Sequence, residues 1–156
     1  MKARGFTRWE APLRLASGGF ILQQALAKRD LPAEGAQGLH EFAKAAELPW
    51  IDDLDAEEFV DLLSMGEAAV GGLLLAPFVP RRIAGLALMG FSGLLLRLYW
   101  KAPGQRQPGS ITPTPDGLPL AKDVWLLAIG LALLLAGSRR KEREGRKARK
   151  AGDRED

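Results

Sequence analysis

FVDLLSMGEAAVGGLLLAPFVPRRIAGLALMGFSGLLLRLYW, residues 59–100, decides how this chain folds. Residues 59–78 form one apolar run and residues 83–100 a second, and Pro77, Pro80, Arg81 and Arg82 lie between them. Twenty helical residues rising about 1.5 Å each cover about 30 Å, the thickness of a bilayer's hydrocarbon core. The short basic turn leaves the two helices no choice but to run antiparallel as neighbours. Asp61 falls at the rim of the first run and Glu67 near its middle, with Ser64, Glu67 and Gly71 on one helical face. The second run ends in Tyr99 and Trp100, aromatics suited to a membrane–water interface.

The same segregation holds on either side of this stretch. Its 156 residues are 47% hydrophobic with a formal charge of +3, ordinary averages that conceal charges crowded into the first ten residues, residues 28–58 and the tail from Arg139. Upstream, a first helix is expected from Pro12 to about Ala27, carrying Arg14, Gln23 and Gln24. Its basic start, Lys2, Arg4 and Arg8, resembles a leader, but Arg14 and the Gln pair are foreign to a secretory core and no small-residue cleavage site precedes Lys28. Residues 28–58 hold nine Asp or Glu against three Lys or Arg and therefore lie outside the bilayer core. Within them Leu39, Phe42, Ala43, Ala46 and Leu48 approximate helical spacing, opposed by Glu41, Lys44 and Glu47, which reads equally as an amphipathic interfacial helix ended by Pro49 or as a surface loop with one apolar stripe.

Downstream, residues 101–120 contain five of the ten prolines and read as an extended, solvated loop. A last span follows, opening on Lys122, Asp123 and Trp125 and stopping at Gly137. Residues 139–150 then carry eight basic and two acidic side chains, a composition that stays unfolded in water and sits well on anionic lipid. The expected architecture is thus an all-α integral membrane protein, a four-helix transmembrane bundle with spans at about 12–28, 59–79, 82–100 and 119–137 and an interfacial helix between the first two. The domain is expected to occupy residues 1–138, with a disordered basic tail over 139–156. Alternate crossing puts the amino terminus, the Arg81–Arg82 turn and the tail on one side, so the positive-inside rule places both termini in the cytoplasm of a multi-pass plasma-membrane protein. Arg81, Arg82, Arg139, Arg140 and Lys141 are then lipid-binding candidates. The tail has no aromatic side chains to stack on bases, which speaks against a nucleic-acid arm.

Composition also limits chemistry. With no cysteine, disulfides, thiol catalysis, thiolate metal sites and iron–sulfur clusters are excluded. His40 is the lone histidine, so no His-rich metal site is expected, and Met65 and Met89 are accounted for by helix packing. The charged and amide residues inside the spans are the remaining candidates: Arg14, Gln23, Gln24, Glu67, Arg97, Lys122 and Asp123. Arg14, Ser17, Gln24 and Lys28 share one face of the first helix, which should point inward. Two readings compete. In one these residues form a buried polar network that fixes helix register, helped by close approach at Gly71, Gly72, Gly85, Gly90 and Gly93; in the other they line a quinone, substrate or proton site.

The run Met-Gly-Glu-Ala-Ala-Val-Gly-Gly-Leu-Leu-Leu-Ala-Pro-Phe-Val-Pro-Arg-Arg at 65–82 resembles the second-helix signature of the DoxX family. Leu13-Arg14-Leu15-Ala16 with Gln24-Ala25-Leu26 is similar to its first helix, and Lys122-Asp123 before an apolar stretch to its fourth. Ala43-Lys44-Ala45-Ala46-Glu47 and Tyr99-Trp100-Lys101 resemble an actinobacterial branch. The resemblance implies a four-helix membrane protein linked to thiosulfate:quinone oxidoreduction or to membrane complexes handling oxidative stress and thiol redox. This chain carries Gln23 and Gln24 where the family often has a histidine. The expectation is an accessory, non-catalytic subunit of a membrane redox or respiratory assembly, binding no cofactor itself and partnered by the bilayer and other membrane subunits. The alternatives are a quinone-linked oxidoreductase subunit, with quinone as cofactor, and a small transporter, so whether the chain is an enzyme stays open.

Overall fold

A computed structural model describes residues 6–136, and every described element is helical. The expected basic tail, with Arg139, Arg140 and Lys141, lies outside the described residues. Four long helices appear: α1 (Glu10–Lys28), α4 (Ala56–Leu75), α5 (Arg81–Lys101) and α7 (residues 124–136). Between the first two lie α2 (Ala33–Lys44) and the single turn α3 (Pro49–Asp52), and α6 (Leu118–Ala121) leads through a turn at Lys122 and Asp123 into α7. By length and apolarity α5 and the continuous stretch Leu118–Ala136 are each sufficient to cross a membrane. The polar residues of α1 and α4 keep those two below that standard.

Local chemistry sets the helix ends. α4 begins at a reciprocal capping box in which Asp55 Oδ1 accepts from Glu58 N at 2.8 Å and Asp55 N donates to Glu58 Oε2 at 3.2 Å. It ends at Leu75, four residues short of the expected 79, because Pro77 forces Ala76 into extended backbone (φ −76°, ψ 113°). The amphipathic helix is displaced towards the amino terminus: it covers Ala33–Lys44, not 39–48, and starts directly after Pro32. Its buried face, Ala36, His40 and Ala43, packs on α4, so it closes one end of the bundle.

Two apolar clusters result. One gathers Ala36, Ala43, Ala46, Ile51, Phe59, Val60, Leu98 and Ala102 at the α2–α3 end, and the other Ile21, Leu74, Ala84, Leu88 and Leu133 towards the α4–α5 turn. Along α4 the first cluster reaches Leu63 and the second begins at Val70, so Glu67 sits between them. Glycine sets the helix separations. A Cβ on Gly18 would stand 2.8 Å from Leu74 Cβ, and one on Gly71 would stand 3.0 Å from the Gly18 carbonyl oxygen. The same device joins α5 and α7, where a Cβ on Gly85 would approach the Gly130 carbonyl oxygen to 2.7 Å. Of the glycines expected at crossings, Gly71 and Gly85 are used; Gly72, Gly90 and Gly93 face open space.

The proline-rich loop is folded, not extended. Gln107 N donates to Thr112 O (2.9 Å), Thr114 N to Gln105 O (3.1 Å) and Tyr99 Oη to Ile111 O (2.7 Å), while the Arg106 guanidinium stacks 4.2 Å over Trp100. Gly117 is required here, because any Cβ would overlap the Gln105 carbonyl.

Candidate functional site

The polar residues inside the bundle fall into three levels. Nearest the α4–α5 turn, Arg14 is 1% exposed and spends its guanidinium on main-chain oxygens. Nε donates to Leu74 O (2.8 Å), Nη1 to Val79 O (3.0 Å), and Nη2 to Leu73 O and Ala76 O (both 2.8 Å). The reason is the end of α4: Pro77 has no N–H to give to the Leu73 carbonyl, so the helix terminates on unmatched acceptors at its negative pole. Arg14 supplies those donors from α1, with Phe6 packed 4.6 Å from its Cζ.

At the opposite end Arg97 does the same for the segment after α2. Its Nε donates to Ala46 O (2.7 Å) and Nη2 makes a long 3.4 Å bond to Glu47 O. Glu47 has a left-handed φ of 53°, and its carboxylate is held by Lys101 Nζ at 2.6 Å. That hydrogen bond, and then the Lys101 charge, hold the Glu47 carboxyl below its ordinary value of 4.5. A carboxylate lowered by folding adds stability above its unfolded pKa and loses it as pH falls through the folded one. The expected result is a Glu47 13C carboxyl titration whose midpoint rises in Lys101→Met; an unchanged midpoint would exclude the pair. His40 closes the same end, its Nε2 2.9 Å from Ile51 O and its ring stacked 5.2 Å from Phe59. A carbonyl only accepts, so Nε2 carries the proton.

Between these ends lies the middle level. Lys28 Nζ stands 2.9 Å from both Glu67 oxygens, donating to Oε1, while Oε2 accepts no hydrogen bond although it is buried. Ser64 Oγ donates to Ala25 O (2.9 Å) one turn away. Two cavities meet at this level. One, of about 420 Å³, is apolar and lined by Trp50, Leu62, Leu63, Val70, Phe91 and Leu94 among others; the second, of about 300 Å³, brings together Gln24, Lys28, Glu67 and Asp123 with Phe20 and Phe91. Glu67 and Phe91 line both.

The sequence candidates therefore part company. Gln24, Glu67 and Asp123 share the smaller cavity, Arg14 and Arg97 are at opposite ends of the bundle, and Gln23 and Lys122 are exposed. Lys28 is the site residue that the candidate set lacks. Its signal was present, since it shares a helical face with Arg14 and Gln24, but at the end of α1 it reads as a flanking charge. Arg81 and Arg82 open α5. Among the described residues no group of three His, Cys, Asp or Glu side chains is placed to hold a metal ion. Comparison of the chain with protein-family models, with curated proteins and with solved structures finds no match.

Proposed function

We propose that this chain is a DoxX-like integral membrane protein that crosses the plasma membrane four times, with both termini cytoplasmic, and serves as a non-catalytic, accessory subunit of a membrane redox or respiratory assembly. The observation that carries the membrane reading is the direction of the apolar side chains. Leu15, Phe20 and Leu26 on α1, Leu62 and Met65 on α4, Ile83, Leu86 and Leu94 on α5, and Leu131 and Leu135 on α7 are all exposed. Only 11% of the apolar window in Leu118–Ala136 is buried, the reverse of a core helix in water. All four tryptophans, Trp9, Trp50, Trp100 and Trp125, are exposed at or next to helix ends, as interfacial anchors are.

The accessory reading is supported by how the polar side chains are spent. Arg14 and Arg97 hold main-chain carbonyls, so the donors that a quinone headgroup would need reduce to Gln24 and Lys28. The outward apolar surface suits lipid and neighbouring membrane subunits. The test is extraction of native membranes in a mild detergent and identification of what accompanies the chain. Respiratory or redox subunits in stoichiometric amounts are expected; a chain recovered alone would contradict the accessory role.

A further inference from the structure

The smaller cavity has an unbalanced charge. Its walls carry one cation, Lys28, and two carboxylates, Glu67 and Asp123. Lys28 is committed to Glu67, which is 5% exposed, with Nζ 2.9 Å from both carboxylate oxygens, so the cavity has no cation left for Asp123. Among the described residues Asp123 forms no ion pair and its carboxylate accepts no hydrogen bond. Apart from Gln24 the remaining walls are apolar or aromatic, with Phe91 and Leu95 from α5. An unmatched carboxylate in such surroundings is costly, and a second cation with several N–H donors removes that cost.

We propose that this cavity binds the primary ammonium head of an amphiphile, with the head received by Glu67 and Asp123 and the alkyl portion against Phe91 and Leu95. A primary ammonium offers three donors and one positive charge, enough to neutralise the Asp123 carboxylate and donate a further hydrogen bond to Glu67 beside Lys28. Its charge is also drawn to the face of Phe91. A neutral acceptor head would address only Gln24 and Lys28 and leave Asp123 as it is. The volume, about 300 Å³, takes the head and a short length of chain. The inference rests on the membrane-embedded part of the reading above and not on the accessory role.

The test uses the full chain in phosphatidylcholine nanodiscs, titrated calorimetrically with octylammonium at neutral pH against empty nanodiscs. Saturable binding is expected for octylammonium and not for octanol or octanoate. Asp123→Asn and Glu67→Gln are each expected to weaken it at least tenfold. Leu95→Trp, which fills the cavity without changing its charge, is expected to abolish it and serves if a charge variant fails to fold. No saturable binding, equal binding of octanol, or binding untouched by Asp123→Asn or Leu95→Trp would overturn the proposal. Repeating the titration in phosphatidylethanolamine nanodiscs identifies the source: loss of octylammonium binding assigns the site to the lipid headgroup, and retention assigns it to free amines. A chain that stays in solution without any lipid or detergent would instead remove the membrane reading.

Discussion

Arg14→Met is expected to destabilise the fold by about 2–5 kcal/mol, since it strips donors from one buried and three half-buried carbonyls and an unmatched buried acceptor costs about 1–3 kcal/mol. The loss is concentrated where α4 ends, because Pro77 cannot serve Leu73 O, and Arg14 Nη2 reaches both Leu73 O and Ala76 O at 2.8 Å. Arg14→Lys keeps the charge but not the planar fork, so it should recover only part of the loss. The measurement is denaturation of the detergent-solubilised protein followed by circular dichroism, together with chemical-shift changes at Leu73–Val79. A variant as stable as the parent would show that the α4–α5 turn does not depend on α1.

Gly85→Ala is the second large effect. The added methyl would stand 2.7 Å from the Gly130 carbonyl oxygen and 3.0 Å from Leu134 N, main-chain atoms of α7 that have no rotamer to turn aside. α5 and α7 must then separate, which costs about 1–3 kcal/mol as overpacking does elsewhere. Gly93→Ala, on the same helix with nothing within 4 Å, is the control. It should be neutral or stabilising by about 0.5–1 kcal/mol through helix propensity alone. Equal melting temperatures for the two variants would remove the close crossing from the account.

What was legible in the sequence was whatever depends on local chemistry. The apolar runs gave the long helices, and Pro77 with Pro80 gave the turn, although the rule that a residue before proline leaves the helix ends α4 at Leu75 and not at 79. α2 was displaced because Gly35 and Gly38 interrupt its apolar pattern, hiding the half of the helix before Leu39. The folded loop at 101–117 was illegible because its order comes from contacts with Tyr99 and Trp100, not from its own composition.

The site was half legible for a related reason. Charge inside an apolar helix announces itself, but its partner does not. In the sequence Glu67 looks equally able to pair with Arg14 or Arg97, and helix register gives it Lys28 instead. From sequence the arginines look like side-chain partners, because sequence shows carboxylates and hides carbonyls. In the structure each faces a helix terminus whose acceptors are unmatched, Arg14 at the end of α4 and Arg97 just beyond the end of α2.

The absence of cysteine opens the membrane topology to site-specific labelling. Single cysteines placed at Gln107 in the proline-rich loop and at Phe78 in the α4–α5 turn can be challenged with a membrane-impermeant thiol reagent in intact cells and again after permeabilisation. Both positions are exposed. A chain crossing the bilayer four times with its basic segments inside labels at Gln107→Cys in intact cells, and at Phe78→Cys only once the membrane is opened. Equal labelling of the two before permeabilisation, or a chain recovered in the soluble fraction, would contradict it.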